Sequence, residues 1–524
     1  MGESTEPTEQ TARAAAPGAA ATKKDINDKM RALVDRRLAQ SAARSEGVLR
    51  RTGAADLPYQ AVAEFIPVVA NTFASQPEEP QAAVFTIAYL ATGPDHPHAG
   101  AHASARPGAG HPRPICFAFN GGPGSSSIWL HLGALGPKRV VMPDDGSMPP
   151  PPYAVRDNPL SWLAHFDLVF IDPPHTGFSI AAGEEARDRM LGVDGDVDAL
   201  TAVIHAWLAR NKRFGSAVLV AGESYGTTRG AAIAEKLLDR GVALSGLVLV
   251  SCAMDLQTLE FVPGNDLPYA LFLPGYACAA QYHGRLAGPA GASPAAAREA
   301  AEAFVVEEYL AALHRGGTLT TPGRQRIAAR VAELSGLPVA LVEQKNLRIS
   351  DVTFFTQLLR EQGKIVGRLE ARVTGPFGAS RHDAWEFDPG IEALVSPYAM
   401  AGQAYFAETL GLATDMRYEI LSDDVHKKWN WSRGERKGNG FACTSPDLAR
   451  ALRRNPHLRV FVASGYYDLG TPYSATNYSL AQLDVPADVA QRVTHRYYDA
   501  GHMMYTRSAD LQRLFQEVGA WVQG

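Results

Sequence analysis

The chain has 524 residues, of which 46% are hydrophobic and 20% are charged, a balance that is typical of a globular enzyme. Its formal net charge of -5 gives no reason to expect nucleic acid or an anionic membrane surface as a partner. No apolar stretch is long enough to span a bilayer, so no membrane span is expected. A chain of this length is expected to form about two to four domains.

The N-terminal residues 1–45 are predicted to form an arm that is disordered or partly helical, with one charged helix over 24–43. The first residues are rich in Glu, Thr, Ala and Pro and lack the apolar run of a secretory signal peptide. The sequence therefore predicts a cytoplasmic protein if this N-terminus is native, and an exported protein if a leader was removed.

Two segments of alternating character, 61–66 and 83–89, predict antiparallel strands. Short continuous runs of Val, Leu, Ile and Phe follow, which are typical of parallel strands covered on both faces, at 114–120, 168–172, 217–221, 246–251 and 458–464. Helices separate these runs, and the helix at 194–210 carries its apolar side chains on one stripe. The pattern predicts an α/β fold with a mostly parallel central sheet flanked by helices.

The alternation of strands and helices stops over residues 265–435. That stretch is dominated by predicted helices, at 296–313, 321–334, 350–362 and 397–410. We therefore expect the core to consist of two parts, 46–264 and 436–524, with 265–435 as a largely helical insertion, or lid, between them.

Neither a metal site nor a disulfide framework is expected. The four cysteines are widely spaced and form no C-x-x-C pair; they are Cys116, Cys252, Cys278 and Cys443. Residues 92–112 predict a long exposed loop rich in Gly, Pro, His and Ala. Its histidines could capture a metal but have no fixed spacing; they are His96, His98, His102 and His111.

The pentapeptide Gly222-Glu223-Ser224-Tyr225-Gly226 follows a buried strand and precedes a predicted helix. Glycines on both sides of Ser224 permit a turn too tight for side chains at those positions, which presents the hydroxyl at the carboxyl edge of the sheet. This pattern is that of a nucleophile elbow, whose reaction class is acyl transfer through a serine. The alternative is a tight turn in which Ser224 only caps the helix.

A serine nucleophile needs a base to take its proton and a carboxylate to orient that base. On a sheet of this kind the acid and then the histidine follow the serine, in loops after later strands. Asp468 follows the strand at 458–464, and His502 lies in a Gly-His loop after a short strand, so we predict these two residues. His495, expected within a strand, and Asp499, expected before the turn, are weaker competitors.

Negative charge that develops on a substrate oxygen needs N–H donors. The backbone N–H of Tyr225 is one predicted donor, and a glycine-rich loop at 120–127, directly after a strand, is expected to supply another. The loop lacks both the Lys-Ser/Thr ending of a P-loop and a correctly spaced G-x-G-x-x-G. Nucleotide binding is therefore a poor alternative.

Four ordered motifs together resemble the serine carboxypeptidase family, a branch of the α/β-hydrolase fold: Asn120-Gly121-Gly122-Pro123-Gly124-Ser125-Ser126, Gly222 through Gly226, Gly465 through Asp468, and Gly501-His502-Met503. Residues 167–179, which end in Thr-Gly-Phe-Ser, are similar as well. The resemblance covers roughly residues 80–515, and matches the insertion only loosely. It implies hydrolysis of C-terminal peptide bonds without a cofactor.

The resemblance also implies roles for individual residues: Ser224 as nucleophile, His502 as proton shuttle, Asp468 as its orienting acid, Gly122 and Tyr225 as oxyanion donors, Asn120 and Glu223 as ligands of the free C-terminal carboxylate, and Met503 in a pocket for the leaving residue. A carboxyl group hydrogen-bonds to a carboxylate only when one of them is protonated, so a shared proton raises an apparent pKa. Acidic conditions should therefore favour the reaction. The alternative for Glu223 is a turn residue that caps the following helix.

Two positions depart from the family pattern. The family often has Trp two residues before the Asn, where this chain has Ala118, and often has a disulfide-bonded Cys where Ser125 stands. These departures leave open the balance between carboxypeptidase and esterase chemistry. The missing disulfide suits a reducing compartment or a bacterial-type branch of the family.

The sequence thus predicts a serine-type carboxypeptidase that releases C-terminal residues from peptide substrates, favoured at acidic pH. A serine esterase or acyltransferase on the same three residues is the first alternative, since fold does not determine function. A catalytically idle protein that binds partners through its lid is the second. A homodimer is compatible with the sequence, which does not determine the oligomeric state.

Overall fold

The computed structural model describes residues 22–69, 79–92, 112–378, 385–412, 416–434 and 440–523. Residues 1–21 of the predicted arm lie outside the described residues. So do the four histidines of the predicted loop, His96, His98, His102 and His111.

The β-strands of the described residues are β1 Ala43–Leu49, β2 Leu57–Val68, β3 Ala82–Ala91, β4 Ile115–Phe119, β5 Lys138–Val140, β6 Val155–Asp157, β7 Asp167–Ile171, β8 Ile180–Ala181, β9 Val218–Glu223, β10 Leu244–Val250, β11 Lys364–Val366, β12 Thr374–Pro376, β13 Arg459–Gly465 and β14 Val493–Tyr498. Ten of them form one sheet in the order β1-β2-β3-β7-β4-β9-β10-β13-β14, with β8 paired to β3. The short pairs β5–β6 and β11–β12 lie outside this sheet.

The sheet is antiparallel from β1 to β7 and parallel from β7 to β14. The two segments predicted to be antiparallel strands lie in β2 and β3, which pair with each other. The five predicted parallel strands are β4, β7, β9, β10 and β13. The predicted α/β-hydrolase fold, with a mostly parallel central sheet flanked by helices, is confirmed.

The α-helices of the described residues are α1 Lys23–Leu38, α2 Ile128–Leu130, α3 Glu184–Met190, α4 Val193–Arg210, α5 Tyr225–Asp239, α6 Leu267–Tyr282, α7 Pro294–Phe304, α8 Leu310–Arg315, α9 Thr321–Ser335, α10 Val339–Gln344, α11 Asp351–Gln357, α12 Pro389–Glu408, α13 Asp423–Lys428, α14 Ser445–Arg454, α15 Tyr473–Ala481, α16 Ala487–Ala490 and α17 Ser508–Gln523. No helix among them is both long and apolar enough to cross a membrane.

Both faces of the parallel strands are buried, which explains why these strands are continuous apolar runs. Successive side chains of a strand point to opposite faces. In β4, Cys116 and Ala118 therefore join the apolar cluster on one face, while Ile115, Phe117 and Phe119 join the cluster on the other. Helices α4 and α5 cover the second face, and α12 and α17 contribute to the first.

The segment between β10 and β13 carries most of the remaining helices and has an apolar cluster of its own. Within that cluster Tyr276 of α6 stacks on Phe354 of α11, with ring centroids 4.1 Å apart. The cluster also contains Tyr467 and Leu469, the residues on either side of Asp468. The core of the insertion therefore packs directly against the loop of the predicted acid.

Several predicted boundaries differ from the structure. Helix α1 ends at Leu38 and β1 begins at Ala43, so the boundary predicted at residue 45 falls inside an edge strand. The exposed charged side chains of β1 alternate with partly buried residues, which explains why the sequence resembles a disordered arm. A π-helical turn, Val305–Tyr309, interrupts the helix predicted at 296–313. The β11–β12 pair was not predicted in the insertion.

Candidate active site

Ser224 occupies a strained turn between the last residue of β9 and the first residue of α5. Its backbone angles are φ 60° and ψ -131°, a region that non-glycine residues rarely adopt. A Cβ atom on Gly222 would lie 2.2 Å from the carbonyl oxygen of Gly226, so the turn closes too tightly for a side chain there. The chain at Ser224 therefore has the geometry of a nucleophile elbow.

His502 and Asp468 are hydrogen-bonded in the loops after β14 and β13. The His502 Nδ1 atom lies 2.8 Å from Asp468 Oδ2, and both side chains are buried. The other carboxylate oxygen, Asp468 Oδ1, accepts the backbone N–H groups of Gly470 and Thr471 at 2.8 and 2.9 Å. The Thr471 hydroxyl donates to Asp468 Oδ2 at 2.7 Å. These bonds fix the position of the Asp468 carboxylate. Because the carboxylate binds Nδ1 of His502, the other ring nitrogen, Nε2, is left free.

The pKa of His502 is raised above its ordinary value. Burial alone would lower this pKa, but the charge and hydrogen bond of Asp468 and the charge of Glu223 outweigh burial and the repulsion from Arg368. His502 and Ser224 line the same cavity but share no hydrogen bond in this structure. Such bonds are often long in ligand-free enzymes and shorten when substrate binds.

The glycine-rich loop after β4 packs against the elbow. A Cβ atom on Gly121 would lie 2.4 Å from the backbone nitrogen of Tyr225, so only glycine permits this approach. The N–H groups of Gly122 and Tyr225 donate to no acceptor within the described part of the chain. Two unengaged donors beside a serine hydroxyl are what an oxyanion hole requires.

A buried arginine ties this loop to the helix of the elbow. Arg229 of α5 is fully buried; its Nε donates to Asp196 Oδ2 of α4 at 2.6 Å, and its Nη1 donates to the carbonyl oxygen of Asn120. The sequence analysis did not identify this residue. Its only signal in the sequence was a basic residue five positions after the serine, in the first turns of the predicted helix.

Glu223 is a buried carboxyl group beside Ser224. Its side chain is 3% exposed, and Tyr505 donates a hydrogen bond to its Oε2 at 2.7 Å. Burial raises the pKa of Glu223 to about 7, although His502 and the Tyr505 hydroxyl favour the charged form. Glu223 is therefore protonated in mildly acidic solution. Nearby, Asn120 Oδ1 accepts the Leu130 N–H at 3.0 Å, and a hydrogen bond from the Asn120 side chain also favours the charged form of Glu223.

Two cavities meet at Ser224. The first, of about 280 Å³ and here called the Glu223 cavity, is lined by Glu223, Asn120, Trp129 and Met503, among others. The second, of about 320 Å³ and here called the Tyr225 cavity, is lined by Tyr225, Phe261, Phe272 and Trp431, among others. Ser224, Gly122, Arg368 and His426 line both cavities. A substrate can therefore extend to both sides of the serine.

The competing residues lie elsewhere. His495 is within β14, as expected, and its Nε2 is 2.9 Å from the Ser464 hydroxyl. Asp499 directly follows β14, and its carbonyl oxygen accepts hydrogen bonds from Arg372 and Arg507. Neither residue lines the two cavities at Ser224. In the described residues, no group of three or more His, Cys, Asp or Glu side chains is arranged to hold a metal ion.

A segment of the insertion, residues 367–372, supports the loops that carry His502 and Asp468. Leu369 O accepts the His502 N–H at 2.7 Å, and Arg368 O accepts the Leu469 N–H at 2.9 Å. Glu370 Oε2 accepts the Gly501 N–H at 2.8 Å. Local sequence patterns do not predict this support, because the segment lies about a hundred residues from the Asp468 loop and Glu370 lies 131 residues from Gly501.

Glu370 should therefore act as a positioning residue for His502. It also pairs with Arg372 Nη2 at 2.6 Å, and Arg372 Nη1 donates to Asp499 O at 2.7 Å. We expect Glu370→Ala to lower kcat about tenfold with little change in KM, because the histidine loop loses its anchor. Glu370→Gln keeps an oxygen acceptor for the Gly501 N–H and should recover part of kcat. Equal losses in both variants would contradict a positioning role.

Comparison with known proteins gives a family match over part of the chain. Residues 104–257, which include both the glycine-rich loop and the elbow, match the family model described as serine carboxypeptidase. The protein is a serine hydrolase, and its residues 104–257 are similar to the serine carboxypeptidases. The resemblance predicted from the sequence is thereby confirmed, whereas the roles of all the individual site residues stay predictions. Asp468 and His502 also lie beyond the matched residues.

Solved structures with the same fold include Kex1Δp, a prohormone-processing carboxypeptidase from Saccharomyces cerevisiae. It has 15% sequence identity and a TM-score of 0.55, over 89% of this chain and 91% of that chain. A proline iminopeptidase from Mycobacterium smegmatis is also similar, with 11% identity and a TM-score of 0.33, over 91% of this chain and 98% of that chain. No curated protein sequence matches this hydrolase.

Proposed function

We propose that this hydrolase is a serine-type carboxypeptidase that releases the C-terminal residue of peptides. The observation that carries the proposal is the buried, protonatable Glu223 in the same cavity as Ser224 and Asn120. A protonated carboxyl group and an amide donor can together donate hydrogen bonds to a carboxylate. A free chain end held there presents its preceding peptide bond to the serine.

In the proposed reaction His502 Nε2 takes the Ser224 proton as the hydroxyl attacks the peptide carbonyl carbon. The N–H groups of Gly122 and Tyr225 bind the oxyanion of the tetrahedral intermediate. His502 then donates its proton to the leaving nitrogen, the C–N bond breaks, and an acyl-serine remains. Water adds to the acyl carbon by the same steps in reverse, and the shortened peptide leaves.

Asp468 keeps His502 in the required tautomer throughout. Because Asp468 Oδ2 accepts from Nδ1, the proton on that nitrogen stays in place and Nε2 remains the basic nitrogen. The Glu223 cavity would hold the leaving residue, with Met503 on its wall, and the Tyr225 cavity would hold the acyl side. No cofactor is needed for these steps.

The proposal is tested by amino-acid release from blocked dipeptides. The wild-type protein should release free leucine from a blocked Phe-Leu dipeptide and leave the same dipeptide intact when its C-terminus is amidated. Hydrolysis of simple esters without any release of amino acids would favour an esterase or acyltransferase instead. An absence of all hydrolysis would favour a binding protein.

The pH dependence of KM tests the role of Glu223. Since its raised pKa is about 7, Glu223 is neutral below that pH and charged above it, where it repels a substrate carboxylate. We expect KM for the dipeptide to rise about tenfold per pH unit above 7, because binding requires one proton on Glu223. KM for a simple ester should change less over the same pH range. In Glu223→Gln the KM profile should be flat. A Glu223→Gln profile identical to wild type would contradict this role.

A second variant separates the pKa of Glu223 from other effects. The Tyr505 hydrogen bond stabilises the charged form of Glu223, so Tyr505→Phe should raise the pKa further and move the rise in KM to higher pH. The Glu223→Gln change should also lower the pKa of His502, since the Glu223 charge raises it, and extend activity to lower pH. Kinetic profiles from pH 4 to 9 would record both shifts.

A further inference from the structure

Arg368 is a half-buried arginine at the junction of the Glu223 and Tyr225 cavities. It lines both cavities, as Ser224 does. It belongs to the insertion, in the same 367–372 segment that supports the His502 loop. Its guanidinium carbon lies 3.4 Å from the position that a Cβ atom on Gly470 would take. The charge is therefore placed next to the turn of Asp468, beside the predicted reaction centre.

The backbone of Arg368 is anchored, whereas its guanidinium group is not. The Arg368 N–H donates to Asp388 Oδ1 at 2.9 Å, and its carbonyl oxygen accepts the Leu469 N–H at 2.9 Å. The guanidinium nitrogens form no hydrogen bond or ion pair with any residue that the structure describes, although five N–H donors are available. A fixed backbone with an unused guanidinium group indicates a side chain whose partner is a ligand.

Neighbouring carboxylates do not explain the arginine. Burial raises the pKa values of Glu260, Asp351 and Asp388, and the charge of Arg368 offsets only part of that rise. None of the three forms an ion pair with Arg368 among the described residues. Both oxygens of Asp388 already accept backbone N–H groups, at Arg368, Leu369 and Gly390. The N–H donors of the planar Arg368 guanidinium are thus available to a ligand. A carboxylate, which is planar and has two acceptor oxygens, matches their geometry.

We propose that Arg368 binds a carboxylate of the substrate's leaving residue and so selects substrates with an acidic group next to the scissile bond. The inference rests on the proposed acyl transfer at Ser224, and it adds to that function a specificity residue supplied by the insertion. Two sources offer this chemistry, the α-carboxylate of the leaving residue and the side chain of a leaving Asp or Glu. Both would enter the Glu223 cavity, which Ser224 and Arg368 line together.

The first experiment uses two esters of one blocked phenylalanine, whose leaving alcohols are glycolate and glycolamide. They differ only in a carboxylate, and ester cleavage does not require that the enzyme hydrolyse peptides. Wild type should prefer the glycolate ester. We expect Arg368→Met to raise KM for that ester about 10- to 100-fold, as for a lost charge-assisted hydrogen bond, and to leave the glycolamide ester within about twofold.

The second experiment distinguishes the two sources with dipeptides that end in Leu, Glu or Gln. If Arg368 binds the α-carboxylate, Arg368→Met should affect the glycolate ester and all three dipeptides. If it binds an acidic side chain, the variant should remove only the preference for Glu over Gln. Either result supports the proposal. Equal effects on both esters, together with an unchanged ratio of Glu to Gln, would overturn it.

An electrostatic effect on His502 has a different signature. The charge of Arg368 opposes protonation of His502, so its removal should shift the low-pH limb of kcat for every substrate to higher pH. Loss of carboxylate binding instead raises KM for the acidic substrates alone. Arg368→Lys keeps the positive charge and should therefore retain part of the affinity for those substrates. Arg330→Gln, which removes a surface arginine of α9 paired with Glu333, is the matched control and should change neither constant.

The outcomes of this inference and of the proposed function are separable. A wild type that cleaves the glycolate ester in an Arg368-dependent way but releases no amino acid from dipeptides would refute the carboxypeptidase and retain the arginine site. A wild type that releases amino acids but shows no preference for glycolate over glycolamide and none for Glu over Gln would refute the arginine site. Melting temperatures of the variants establish that each one is folded.

Discussion

Ser224→Ala is expected to lower kcat for every substrate at least about ten-thousand-fold, because no other group can form the acyl intermediate. The elbow places this side chain at the meeting point of the two cavities, and Asp468 holds His502 in the same site. A fluorophosphonate probe should label the wild-type protein covalently and fail to label the variant. Intact-protein mass spectrometry measures the adduct directly.

The control for this result is an exposed serine, Ser147, whose hydroxyl donates a hydrogen bond to Asp145. Ser147→Ala should be labelled as fast as wild type. Labelling of Ser224→Ala at the wild-type rate would place the nucleophile elsewhere. A wild type that is folded but never labelled would support the idle binding protein that the sequence left open.

Gly121→Ala is expected to lower kcat about 100- to 1,000-fold, the loss that follows from removing one oxyanion donor. The new Cβ atom would lie 2.4 Å from Tyr225 N and 2.5 Å from Gly226 N, closer than packed atoms allow. The glycine-rich loop must then separate from the elbow, so the N–H groups of Gly122 and Tyr225 no longer point at one oxygen. KM should change much less than kcat, since the lost interaction exists only in the transition state.

Gly317→Ala is the matched substitution, because no atom lies within 4 Å of its added Cβ. It should leave kcat and the melting temperature unchanged. A Gly121→Ala enzyme with kcat within about threefold of wild type would exclude this loop as the source of an oxyanion donor. Kinetics with one ester and one peptide substrate suffice for the comparison.

The insertion has a larger part in the site than a lid that only covers it. Its residues 367–372 hold the His502 and Asp468 loops through backbone hydrogen bonds, and Arg368 lines both cavities. The catalytic geometry and the selection of substrate should therefore depend on the same short segment. Changes in the insertion that leave the core intact can alter both kcat and specificity.

Local patterns in the sequence were sufficient to predict the core fold. They were also sufficient to select Ser224, His502 and Asp468 as the candidate nucleophile, base and acid. The parallel strands are buried on both faces, so their consecutive residues are all apolar, and such runs can be recognised in the sequence. The elbow has no room for side chains at positions 222 and 226, so both positions are glycine. Their fixed spacing around Ser224 can be recognised in the sequence. Asp468 and His502 each lie in the loop that follows a strand.

Other features depend on residues that are far apart in the chain. Tyr505 and Glu223 are 282 positions apart, and Glu370 and Gly501 are 131 positions apart, so neither hydrogen bond leaves a local pattern. The boundary at residue 45 was misplaced for a related reason, since β1 is a strand only through its pairing with β2.

The sequence by itself determined the reaction class, because the chemistry of a serine nucleophile needs particular residue types in a particular order along the chain. Only the tertiary structure decided how the site is tuned. Burial raises the pKa of Glu223 to about 7, and burial is a property of the packed protein rather than of any segment. Arg368 became part of the site for the same reason: folding of the insertion brings its charge to the two cavities at Ser224.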